Sequence, residues 1–173
     1  MTDIETIKSS NPEEELLCEL IETDLMGIVL DECCTEDQLA KVINAVHLYK
    51  RACGGRIRIF TVGNDKDTPY IRKLMAGYGT ADDFEFVNAD DSDGLLTRFL
   101  GSEALITSDI NGSCAGSARE FYLPRLCLSE ETDFRFEDGV LYIGSEPSVI
   151  SAALMVIKER KFADELSGHK RLV

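Results

Sequence analysis

The 173-residue sequence predicts one α/β domain, a doubly wound parallel sheet of the Rossmann-like kind. Three observations carry that expectation. Short, nearly unbroken apolar runs such as "MGIVL" (26–30) have the composition of strands buried on both faces. Between them stand segments whose apolar residues recur at helical spacing. The connections are short, so right-handed crossovers would lay helices on both sides of a parallel sheet.

Residues 1–25 read as a polar tail and a short acidic helix, "PEEELLCELIE" (12–22), with Pro12 suited to a first helical position. Residues 26–173 form the domain, opening with the "MGIVL" strand. In "TEDQLAKVINAVHLYKRACGG", Thr35 and Gln38 make a capping box. Leu39, Val42, Ile43, Val46 and Tyr49 share one face of that helix, and Gly54–Gly55 stop it. "RIRIFTVG" (56–63) is a strand ending in glycine. Thr68–Pro69 opens a helix bearing Ile71, Leu74 and Met75, and "FEFV" (84–87) is the next strand. Ser92 is placed to cap a helix carrying Leu95, Leu96, Phe99 and Leu100. "EALIT" (103–107) and "RLCL" (125–128) are strands, separated by a loop and a short helix that ends before Pro124. "EDG" (137–139) turns into "VLYIG" (140–144). Pro147 starts a last helix, with Val149, Ile150, Ala153, Leu154 and Ile157 facing inward.

Composition excludes several classes of function. A net charge of −14 is the wrong sign for gripping a nucleic-acid backbone. The apolar runs are far short of the roughly 20 residues that span a membrane, and no charged start followed by an apolar stretch suggests a secretory leader. Six cysteines (18, 33, 34, 53, 114, 127) form no CxxC and have no nearby histidine. They read as reduced thiols of a cytoplasmic protein, with no metal site. His47, between Val46 and Tyr49, reads as structural, and the pairs Asp82–Asp83 and Asp90–Asp91 as solvated turns.

In a doubly wound sheet, ligands sit beyond the carboxyl ends of the strands. The loop richest in small residues there lies within "SDINGSCAGSAREF" (108–121). Its amides, at Gly112, Ser113, Cys114, Ala115 and Gly116, are candidates to cradle a phosphate. Gly63 and Asn64, after the second strand, are weaker candidates, because the spacing of a dinucleotide fingerprint is absent.

The order of these pieces resembles the C-terminal, donor-binding half of retaining GT-B glycosyltransferases of the group 1 type. "IRIFTVGND" resembles that family's strand and glycine loop. "FEFVNADDSDGLLTRFLGSEALITSD" resembles its strand, helix and strand, and "EDGVLYIGSEPSVISAALMVI" its closing segment. "INGSCAGSARE" falls where the family places its glycine-rich loop and paired glutamates. The resemblance, over roughly residues 26–165, implies one half of a GT-B architecture that binds a nucleotide sugar or nucleotide diphosphate. It also implies an acceptor-binding domain, in a longer parent chain or a partner protein, without which the chain would not catalyse. Val87 and Asn88 would contact the base and Glu120 the ribose.

The departures are specific. Asn111 or Gly112 stands where the family has its first glutamate. Asp31, Glu32, Glu36 and Asp37 stand where it has a basic pair. Two unit charges ~6 Å apart interact by roughly 3 kcal/mol at an effective dielectric of 20, so this acidic loop would repel a diphosphate. Mg²⁺ in the loop Asp31–Asp37, or basic groups from elsewhere, would offset that. The alternative is a degenerate GT-B-like module, kept for interaction or regulation, that binds no donor.

Overall fold

The computed structural model describes residues 12–13, 25–120, 122–130 and 134–166. Pro12 and Glu13 are helical; the rest of the acidic helix expected over 12–22 lies outside the described residues. In chain order the elements are β1 (Met26–Leu30), α1 (Glu36–Cys53), β2 (Ile57–Val62), α2 (Pro69–Tyr78) and β3 (Phe84–Val87). There follow α3 (Ser92–Gly101), β4 (Ser102–Thr107), α4 (Ser113–Glu120), β5 (Arg125–Ser129), β6 (Arg135–Glu137), β7 (Val140–Gly144) and α5 (Pro147–Leu166). Single 3₁₀ turns at Asn64–Lys66 and Ala81–Asp83 precede α2 and β3.

The strands form one sheet in the order β3-β2-β1-β4-β5-β7-β6. All pairs are parallel except β6–β7. This is the Rossmann-like α/β fold that the sequence predicts. The antiparallel β6 was not expected. Its three residues, Arg135, Phe136 and Glu137, are all exposed, so the strand has no buried face to write an apolar pattern into the sequence.

Both faces of the sheet are covered. Ile28, Leu30, Ile59 and Ile106 pack with Leu39, Val42, Ile43 and Val46 of α1, with Ile71 and Met75 of α2, and with Ile150 and Leu154 of α5. Val29, Phe60, Val62 and Leu105 point the other way, toward Phe99 of α3 and Cys114 and Ala118 of α4. The alternation of successive β1 residues between two cores explains why "MGIVL" carries no polar position. Among the described residues no helix is long and apolar enough to cross a membrane.

Local chemistry sets the helix ends. Thr35 Oγ1 accepts from Gln38 N at 3.1 Å while Gln38 Oε1 accepts from Thr35 N at 2.9 Å, completing the expected box at the start of α1. Gly54 closes the helix in the left-handed region, at φ 64°. The cap of α3 is Asp91, not Ser92: its carboxylate accepts from Gly94 N at 3.0 Å. Asp83 is likewise no solvated turn residue, since it is largely buried and pairs with Lys50 at 2.8 Å. His47 is structural, with Nδ1 3.2 Å from the Tyr78 carbonyl.

Ile28→Ala should lower the free energy of unfolding by about 2–5 kcal/mol, because a fully buried central-strand side chain leaves a cavity. Thr35→Ala should cost about 1 kcal/mol, the usual value of a cap. Urea midpoints at unchanged m-value check both, and equal losses would contradict this division between core and cap.

Candidate functional site

Chain connectivity makes the crevice. From β1 the chain goes to β2 on one side, and from β4 to β5 on the other, so the loops leaving β1 and β4 diverge and open a gap between them. The two strands are joined in register as far as Leu30↔Ile106. The next residues, Asp31 and Thr107, form the floor.

Asp31 is 2% exposed. Its amide donates to the Ile106 carbonyl at 2.9 Å, and its Oδ2 accepts from Thr107 Oγ1 at 2.8 Å. The Cys114 side chain also hydrogen-bonds to it. Burial is the largest influence and raises the Asp31 pKa above its ordinary 3.8, with the Thr107 bond acting in the opposite direction. Burial, followed by the charge of Asp31, likewise pushes the Cys114 thiol up. Of the acidic residues expected to face a ligand, Asp31 therefore points into protein.

Cys33 and Cys34 occupy the turn after Asp31. The Cys33 sulfur accepts from Ser108 Oγ at 3.4 Å and lies 3.3 Å from Thr107 Oγ1. The Thr107 hydroxyl proton goes to its shorter contact, Asp31, and Ser108 Oγ lies nearer the Cys33 carbonyl, at 3.0 Å, than the sulfur. Hydrogen bonding from Cys34, more than offsetting burial, holds the Cys33 thiol low, at about 4, and Cys34 is pushed correspondingly high.

The glycine-rich loop is partly satisfied by its own atoms. Asp109 N donates to Thr107 Oγ1, Asn111 N to Asp109 Oδ1 at 2.9 Å, and Gly112 N to the Asp109 carbonyl at 3.1 Å. Gly112 also fits closely: a Cβ there would lie 3.3 Å from Asp109 O and 3.5 Å from Asp31 Oδ2. Ser113, Cys114, Ala115 and Gly116 form the first turn of α4, and the Gly116 amide already reaches Gly112 O at 3.2 Å. The amides of Ser113, Cys114 and Ala115, which have no partner four residues back within the helix, are the remaining candidates for a cradle.

Two further loops meet the crevice. Gly63, at φ 104°, donates its amide to Val87 O at 2.8 Å, joining the ends of β2 and β3. A Cβ at Gly63 would lie 2.8 Å from a carboxylate oxygen of the exposed Asp65, which can move aside, so the positive φ is what favours glycine here. Asn64 begins the 3₁₀ turn beside it. The Val87 side chain belongs to the core, leaving only its backbone for a ligand, whereas Asn88 is exposed. Glu120 is exposed at the far end of α4.

Lys66 is the residue that reading the sequence missed. It is 8% exposed, and its Nζ donates to the Glu32 carbonyl, tying the β2 loop to the β1 loop. Inside "GNDKD" it looks like one charge among carboxylates; only the fold turns it inward. The acidic loop does not fit a metal ion. Thr68 Oγ1 donates to Glu36 at 3.2 Å, Asp37 pairs with Lys41 at 3.4 Å, and no three His, Cys, Asp or Glu among the described residues are grouped to hold a cation.

No protein-family profile matches the sequence, and no curated protein matches it. Solved structures do. A glycosyltransferase from Rickettsia africae superposes with a TM-score of 0.63 at 11% identity, over 86% of this chain and 42% of that one. A candidate UDP-N-acetylglucosamine 2-epimerase from Listeria monocytogenes gives 0.58 at 12% identity, over 96% and 45%. MnaA from S. aureus, solved with UDP, gives 0.57 at 15% identity, over 98% and 46%. These likenesses establish the fold. The chain spans less than half the length of each of them.

Two outcomes test this geometry. Asp31 has a raised native pKa, so its contribution favours the native state below 3.8 and is lost as pH rises through the native value. Asp31→Asn should therefore gain stability relative to the parent as pH is raised from about 4 to about 7. A constant difference in urea midpoints over that range would contradict the burial of an ionisable Asp31. For Cys33, iodoacetamide should alkylate the thiol at a rate nearly independent of pH between about 6 and 8, read by peptide mass spectrometry, and Ser108→Ala should slow it at the lower end. A rate rising tenfold per pH unit would show an ordinary thiol.

Proposed function

We propose that this chain is a nucleotide-sugar donor-binding domain, one half of a two-domain glycosyltransferase of the GT-B architecture. The observation that carries the reading is the meeting of the β1 and β4 loops at the switch point, with the β2 loop tied to them through Lys66, in a fold shared with a glycosyltransferase and with a protein solved holding UDP. The diphosphate would lie at the start of α4, against the Ser113, Cys114 and Ala115 amides, where the helix dipole favours negative charge. Gly63, Asn64 and the Gly112–Gly116 backbone would border it. The Val87 backbone and Asn88 would meet the base, and Glu120 the ribose.

The electrostatics are less hostile than the loop composition implies. Asp31 is turned inward with its pKa raised, and Lys66 brings a cation under the β1 loop. An acceptor-binding domain, in the parent chain or a partner, would complete the cleft, because half of a two-domain cleft cannot hold both substrates. A specific observation favours a second reading. The Asp109, Asn111 and Gly112 amides are already bonded within the protein, as expected of a module that has lost donor binding.

Thermal shift with UDP, GDP and ADP, with and without Mg²⁺, separates the two. Saturation at about 100 times Kd stabilises by about 2.7 kcal/mol, or roughly 5–10 °C in a domain of this size. Glu120→Ala should weaken nucleotide binding while leaving the apo melting temperature unchanged. No shift with any nucleotide at millimolar concentration would favour the module.

A further inference from the structure

A cavity of ≈ 230 Å³ opens between the β6–β7 hairpin and α5. It lies where β4, β5 and β7 begin, at the opposite end of the sheet from the switch point, so no residue of the crevice contributes to it. Its walls are apolar, with Leu126, Leu141 and Ile157 on the inside. Three large apolar side chains that remain in water line it: Phe134 at 59%, Phe136 at 73% and Val156 at 64% exposure. Exposed apolar residues scattered singly need no explanation, but their convergence around one hollow marks a binding surface.

Size and charge narrow the occupant. An engineered apolar cavity of about 150 Å³ accepts benzene, so this one accommodates a ring with a short substituent or a chain of about eight carbons. Among the described residues, the charged ones in its wall are Arg125, Arg160 and Glu103. Glu103 has an interaction of its own. Arg125 gives one of its five donors to the Asp138 carbonyl at 3.3 Å, and Arg160 is exposed. The described part of the wall is thus net positive, on a chain whose net charge is −14. A second copy docked face to face would set arginine rim against arginine rim, whereas a small anion meets opposite charge.

We propose that this hollow binds a small amphipathic carboxylate, with its apolar body against Leu126, Leu141 and Phe136 and its head group at the Arg125–Arg160 rim. The site is independent of the crevice, so nucleotide binding there neither supports nor weakens it. The test uses octanoate as probe and 1-octanol as its neutral counterpart, followed by saturation-transfer NMR, with the mass in solution measured by light scattering. Octanoate should saturate one site per chain and bind about tenfold more tightly than octanol. Val156→Glu should weaken it by tenfold or more and Arg160→Gln by about fivefold. Both side chains are exposed, so neither variant should move the melting temperature. Three results would overturn the proposal: no saturation at about 10 mM octanoate, equal affinity for octanol, or a dimer that Val156→Glu dissociates.

Discussion

The structure depends on the pairing of β1 with β4, two short strands brought together from distant parts of the chain. The first half of the sheet is a run of strand–helix–strand units, and the second adds a β6–β7 hairpin to one. The halves become one domain where β1 meets β4 and where α1 packs against α5 over that junction, and there the sheet is buried on both faces. Every β1 residue is buried, so the pairing is held by apolar contact above and below as well as by its ladder. The same junction divides the loops, and the crevice is a geometric by-product of it.

The polar residues at the end of that junction extend the ladder into the site. The Asp31 amide continues the β1–β4 bonding, its carboxylate takes the Thr107 hydroxyl, and Ser108 reaches the Cys33 carbonyl at 3.0 Å. The crevice floor is therefore closed by hydrogen bonds between the two halves of the chain. Such a floor orders the first turn of α4 in advance, which lowers the entropy a bound anion would have to overcome. Its composition also limits specificity. With few basic groups nearby, recognition of a diphosphate would rest on backbone amides and one buried lysine, a weaker arrangement than bidentate arginine.

The two ends of the sheet differ in character. At the carboxyl ends of the strands, polar backbone and buried ionisable groups crowd a narrow gap. At the amino ends, an apolar hollow sits beneath a short exposed hairpin and the second half of α5. Antiparallel β6 extends the sheet by three residues and carries Phe136 outward.

The sequence by itself determined the fold class, because burial on both faces leaves apolar strands and amphipathic helices as an unavoidable pattern in the chain. "MGIVL", the Thr35–Gln38 box and Gly54 each state their role within a few residues. What it could not determine was the direction of individual polar side chains. Asp31 reads as a charge facing the ligand, Lys66 stands unmarked, and Asp83 and Asp91 read as turn residues, yet the first two are buried, the third is an ion-pair partner and the fourth a helix cap. Their partners lie elsewhere in the chain or depend on where a helix begins by one residue. β6 escaped for a related reason: a strand with no buried face leaves no periodicity. Contacts that close across the sheet, unlike those that repeat along the chain, exist only once the chain has folded, and the tertiary structure alone assigns them.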